Sequence, residues 1–118
     1  MFSARFCIYF RFRAAYNTSR GAQEGCTGRF TKMNGAGNDF ILLDAIAEPF
    51  DESAAPALAR ALCDRRRSVG ADGLMLVTRA EGDADYRMRF YNSDGSLGEM
   101  CGNGARCICR YGYARGYA

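Results

Sequence analysis

Cys101 stands between a turn-forming stretch, Asn92-Ser93-Asp94-Gly95-Ser96, and a run, Gly102-Asn103-Gly104-Ala105-Arg106, with the character of a helix start. A thiol so placed is suited to carry a negative charge. The first turn of a helix has N–H groups without intrahelical partners and a partial positive charge, and both lower a thiol pKa from its free value of about 8.5. Gly102 and Gly104 reinforce this, because residues without a Cβ let a ligand approach the backbone amides and let those amides turn toward one anion. Free cysteines are among the most buried residue types, and packing is their commoner role. The Gly-Asn-Gly setting is what favours chemistry at this one.

The elements that must position the thiol follow from the patterning around it. Phe30-Thr31-Lys32-Met33 predicts a short strand, residues 34–39 carry turn chemistry, and Phe40-Ile41-Leu42-Leu43 predicts an apolar strand, together a β-hairpin with a wide polar loop. Ser53 is suited to cap a helix through about Arg65, with Leu58, Ala61 and Leu62 as its apolar stripe. Arg65-Arg66-Arg67 then meets the negative end of the helix dipole and is expected to be a solvated helix end. Gly70-Ala71-Asp72-Gly73 predicts a turn into the strand Leu74-Met75-Leu76-Val77, and Tyr86 to Phe90 alternates apolar and charged residues as a half-buried strand does. That strand, the Asn-Ser-Asp-Gly turn, Cys101 and the following helix form one compact unit.

The chain as a whole excludes several classes of function. Its 118 residues, 48% hydrophobic and 25% charged, suit a single globular domain with one modest core. Residues 1–29 hold five arginines against one glutamate, while residues 30–118 hold eleven cations against twelve carboxylates, so the body has no footprint for nucleic acid. The six cysteines at 7, 26, 63, 101, 107 and 109 form no CxxC pair and there is no histidine, which argues against zinc. No signal-peptide core and no run of about 18 apolar residues is present, so reduced thiols, a cytoplasmic location and no membrane span are expected. The aromatic and arginine-rich segment 1–29 is expected to be a disordered or mis-called start, with a basic arm or a targeting peptide as the functional alternatives. The close of the chain, Ile108 to Ala118, carries a helical pattern into small and aromatic residues and suggests a truncated protein.

Taken in order, Met33-Asn34-Gly35-Ala36-Gly37-Asn38-Asp39-Phe40, Gly70-Ala71-Asp72-Gly73-Leu74 and Asn92 through Arg106 resemble the N-terminal half of diaminopimelate epimerase, over about residues 30 to 115. The resemblance implies an α/β (α+β) fold of two similar domains, each with strands curled around a central helix, of which residues 30–118 would be most of the first. It also implies an isomerase that interconverts LL- and meso-diaminopimelate for lysine and peptidoglycan synthesis, with no pyridoxal phosphate, other cofactor or metal. At full length the resemblance implies a homodimer. In that chemistry one thiolate removes the α-proton and a second thiol returns a proton on the opposite face. Cys101 matches one of the pair. By motif position Asn38, Asn92 and Asn103 resemble residues that hold the amino acid, and the backbone of Gly102 and Asn103 resembles the donors for its α-carboxylate. Oriented N–H groups there would stabilise charge developing beside a carboxylate.

The chain also departs from the pattern. Some relatives carry glutamine where Gly73 stands, and many carry His and Leu where Asn34 and Ala36 stand. The second cysteine, a glutamate and further substrate contacts belong to the family's second domain, so this chain alone is expected to be inactive. Cys107 and Cys109, six and eight residues along the helix from Cys101, are assigned to structure rather than catalysis. Two other readings stand beside this one: an epimerase or racemase of another amino acid on the same fold, and a non-catalytic binding module using residues 1–29 as a basic arm.

Overall fold

The computed structural model describes the backbone of residues 8–18, 21–99 and 102–118, and within these ranges the side chains from residue 29 onward; Cys101 lies outside them. Its strands are β1 (Ile8–Thr18), β2 (Gly21–Gly35), β3 (Asn38–Asp44), β4 (Gly73–Thr78) and β5 (Arg87–Asn92), joined in that order in one sheet. Neighbours are antiparallel except β3 and β4, which run parallel. A parallel pair needs a crossover, supplied by a 3-10 turn at Glu52–Ala54 leading into α1 (Ala55–Cys63). After β5 comes α2 (Gly102–Ala114).

The two apolar runs of the sequence are continuous because a helix covers each face of the sheet. Ile41, Leu43, Leu74 and Leu76 pack with Leu58 and Leu62 of α1. Their alternate neighbours Phe40, Leu42, Met75 and Val77 pack with Cys107, Ile108 and Tyr111 of α2. Strand side chains point to opposite faces in turn, so every position of Phe40–Leu43 and Leu74–Val77 is buried.

At its far end α2 is pinned to β3. Asp44, the last residue of β3, accepts hydrogen bonds from the hydroxyls of Tyr111 (2.9 Å) and Tyr117 (2.6 Å). Burial pushes the Asp44 carboxyl up, but the Tyr117 hydroxyl, the Ala47 amide, the Tyr111 hydroxyl and the Ile46 amide together hold it below its ordinary value. A strand of seven residues and a helix of thirteen both span about 20 Å, so α2 can be fixed to β3 at both ends.

Several local expectations are corrected. The hairpin loop is tight: Gly35 pairs with Asn38, leaving Ala36 and Gly37 as the turn, at φ 54° and 102°. Both central residues of a two-residue hairpin turn adopt positive φ when the turn follows the twist of its strands, and Ala36 accepts that conformation. Ser53 does not cap the helix: α1 starts from Ala54 without a side-chain cap, and Asp51 instead caps the preceding 3-10 turn, its carboxylate accepting from the Ser53 amide at 3.0 Å and hydroxyl at 2.7 Å. The helix ends at Cys63, and Asp64 then receives the amides of Arg66 and Arg67. Ala61 is only half-buried. In the opening segment, residues 8–18 and 21–29 have strand backbone.

Candidate active site

Topology gathers the described members of the predicted site, Asn38, Asn92, Gly102 and Asn103, at one end of the sheet. Asn38 opens β3, Gly73 opens β4, Asn92 closes β5, and Gly102 and Asn103 open α2. One row of the register runs Phe40, Gly73, Asn92. The Asn103 side-chain amide donates to the Asn38 side-chain carbonyl at 2.7 Å, so these two are in direct contact. Asn92 sits at the same end but turns to its own loop, donating from its side chain to the Ser96 hydroxyl (3.0 Å) and from its backbone to the Ser96 carbonyl (2.8 Å). Gly102 is exposed, and a Cβ built on it meets nothing within 4 Å among the described residues. Cys101 immediately precedes it in the chain and lies outside the described residues.

Four charged side chains buttress this end, and sequence reading missed their role. Arg65 holds Asp39 with both guanidinium ends, at 2.7 and 3.1 Å, and reaches Asp72 at 3.1 Å. Lys32 pairs with Asp39 at 3.1 Å and donates to the Gly70 carbonyl. The Asp39 amide donates to the Asp72 carboxylate (3.0 Å), and the Asp72 amide donates back to the Asp39 backbone carbonyl (2.9 Å) and carboxylate (3.1 Å). This reciprocal stitch joins the start of β3 to the loop before β4. Arg65 is therefore no mere solvated helix end, though Arg66 and Arg67 are exposed as expected. Asp39 and Asp72 both lie inside the motifs quoted above, which was the available signal; nothing local marks Arg65 apart from its two neighbours.

The hydrogen bonds from Arg65 hold the Asp39 carboxyl well below the usual carboxylate range against the opposing effect of burial, and Lys32 adds to the lowering. Its pKa is thus lower folded than unfolded. The stability this contributes is present above the unfolded value of about 3.9 and is lost as pH falls below it toward the folded value. The melting temperature is accordingly expected to fall between pH 5 and pH 3, and Asp39→Asn is expected to flatten that slope; thermal melts across this range check it.

Two glycines allow the close approaches on which the site depends. A Cβ on Gly35 would lie 2.8 Å from both the Asn103 carbonyl oxygen and the Cys107 sulfur. One on Gly73 would lie 2.4 Å from the Phe90 ring, which explains why a bare residue stands there. Gly35→Ala must lift the first turns of α2, because a helix backbone carbonyl cannot swing aside as a side chain can. We expect a loss of about 1–3 kcal/mol in urea unfolding, as for other overpacked sites, together with a disturbed Asn38–Asn103 contact.

The other described thiols do not resemble a catalytic pair. Burial, with Asp39 nearby, pushes Cys63 up to about 11. Cys107 is buried in the core beneath α2 and Cys109 is exposed on the helix. Among the described residues no group of three His, Cys, Asp or Glu could hold a metal ion, and no helix is long and apolar enough to cross a membrane.

Comparison with known proteins identifies the family. The family model described as diaminopimelate epimerase matches residues 30–118. Among curated relatives, the diaminopimelate epimerase of Nitrosospira multiformis is 50% identical over 88 residues, covering 75% of this chain and 31% of the relative. That of Moorella thermoacetica is 53% identical over 89 residues, covering 75% and 31%. That of Ralstonia nicotianae is 52% identical over 88 residues, covering 74% and 30%. The chain thus spans less than a third of the length of these relatives. With its α+β sheet, its clustered asparagines and a matched region reaching from Phe30 to Ala118, the chain belongs to the diaminopimelate epimerase family.

Proposed function

We propose that the chain supplies the first of two domains of an epimerase that interconverts LL- and meso-diaminopimelate, working in the cytoplasm without pyridoxal phosphate or another cofactor, as a homodimer at full length. The observation that carries this reading is the direct Asn38–Asn103 bond beside the exposed Gly102 at the start of α2. Free amides at a helix start suit an α-carboxylate, and paired asparagines offer donors and acceptors without competing for protons. Cys101, one residue before that turn, is assigned as one of two acid–base thiols, with Asn38, Asn92, Gly102 and Asn103 as substrate contacts. The second thiol belongs to the remainder of the relatives' length, so the chain by itself is expected to be inactive.

The mechanism needs a proton removed from one face of the α-carbon and returned to the other. Cys101 would take that proton as the thiolate, or give one as the thiol in the reverse direction, on its side of the α-carbon. The developing carbanion lies next to the α-carboxylate, where N–H groups fixed before the reaction stabilise charge without reorganising.

The test mixes the chain with a separately produced C-terminal portion of a relative and follows stereochemistry by chiral chromatography over a panel of amino acids. Conversion of LL- to meso-diaminopimelate, absent with either part alone, is the expected outcome. Conversion of a different amino acid in its place would assign another epimerase or racemase on this fold.

A further inference from the structure

The hydrogen bonds of the buttress have a direction, and that direction reaches the substrate contacts. Asp72 presents one carboxylate oxygen to Arg65 at 3.1 Å and the other to the Asn38 side-chain nitrogen at 3.2 Å. A carboxylate only accepts, whereas a side-chain amide has a donating and an accepting end. Asn38 must therefore turn its nitrogen toward Asp72 and its carbonyl away. That carbonyl faces Asn103, which in turn must present its own nitrogen, at 2.7 Å. One side chain thus sets the orientation of two amides. Reversing Asn38 would put its carbonyl against a carboxylate and its nitrogen against the Asn103 nitrogen, two repulsive contacts.

We propose that Asp72, itself held by Arg65, is a positioning residue that fixes the amide orientation of Asn38 and, through Asn38, that of Asn103. Among the described residues nothing takes the second N–H of Asn38 or the side-chain carbonyl of Asn103, and these are the groups left for a ligand. That pairing is complementary to an amino acid, whose carboxylate accepts and whose ammonium donates. The ligand class rests on the function proposed above; the relay itself rests only on the bonds described.

The test uses the 118-residue chain with nitrogen-15 asparagine and reads side-chain amide resonances. Asp72→Asn keeps the size but removes the acceptor-only group, and Arg65 keeps its two bonds to Asp39. The expected result is an unchanged fold by backbone spectrum, with the side-chain amide resonances of both Asn38 and Asn103 displaced. Asn103 touches neither Asp72 nor Arg65 in the bonds described, so a change confined to Asn38 overturns the relay. Should Asp72→Asn fail to fold, Asp72→Ser, which withdraws the carboxylate from Asn38, takes its place: displacement of both side-chain amides is expected, and a change confined to Asn38 overturns the proposal.

In the reassembled pair, Asp72→Asn is expected to raise KM about tenfold with kcat changed less than about threefold, the signature of a misaligned binding hydrogen bond. Equal loss in kcat and kcat/KM would overturn a positioning role. A pair inactive toward diaminopimelate refutes the proposed substrate, and the amide resonances then judge the relay alone.

Discussion

Phe40→Ala is expected to lower the stability of the chain by about 3–5 kcal/mol, a large share of the 5–15 kcal/mol typical of a small domain. Phe40 is 1% exposed and stands between α2 and the sheet, packed with Met33, Leu42, Met75, Val77, Cys107, Ile108 and Tyr111. Its ring meets that of Phe90 edge-on at 5.8 Å, and Phe90 in turn fills the space beside Gly73. Truncation removes apolar contact and leaves a cavity that backbone on two sides cannot close. The damage also reaches the site, since Phe40 anchors the segment of β3 that carries Asn38 and Asp39. Leu58→Ala in the opposite layer should cost a comparable 2–5 kcal/mol yet leave the Asn103 amide resonance in place. Urea unfolding with an unchanged slope, together with that resonance, separates the two. A Phe40→Ala loss under about 1 kcal/mol would contradict the packing described for this face.

Cys101→Ala is expected to reduce conversion by the reassembled pair about 10²–10⁴-fold, the range for removing a positioned general acid or base. Among the described residues no thiol is placed to replace it: Cys63 and Cys107 are buried, and Cys109 lies about two turns into α2. Binding need not suffer equally. The proposed contacts through Asn38, Asn103 and the α2 amides remain, so KM should change far less than kcat. A variant that kept more than a tenth of the activity would show that the thiol is not one of the reacting groups.

The fold was most legible where burial left no choice. Phe40–Leu43 and Leu74–Val77 are uninterrupted apolar runs because helices lie on both faces, and such runs are recognisable without knowing which helix covers which face. Caps and turns were less legible. Asp51 and Ser53 are both good capping residues, and only the three-dimensional path shows that Asp51 receives the amide while Ser53 hydrogen-bonds to it. Every residue from Asn34 to Asp39 except Ala36 suits a turn, so the loop read as wide; the strands in fact continue to Gly35 and resume at Asn38.

The site was legible in part. Asn38 and Asn103 were named from motifs 65 residues apart, and they meet. Asn92 was named as well, and its loop occupies the same end of the sheet. The charged buttress was not legible, because Arg65 finds Asp39 across 26 residues of sequence and nothing in its local charge pattern distinguishes it from Arg66 or Arg67. Charge pairing of this kind is set by which loops the sheet brings together, which the sequence pattern does not display.

The central claim is that this chain contributes one of two proton-transferring thiols. Its most direct test is uptake of solvent deuterium at the α-carbon of LL-diaminopimelate in heavy water, with the chain alone, with a C-terminal portion alone, and with both. Exchange accompanied by inversion only when both are present, and lost in Cys101→Ala, is the predicted result. Inversion by a well-folded pair that persists without Cys101, or no exchange by such a pair at all, would contradict it.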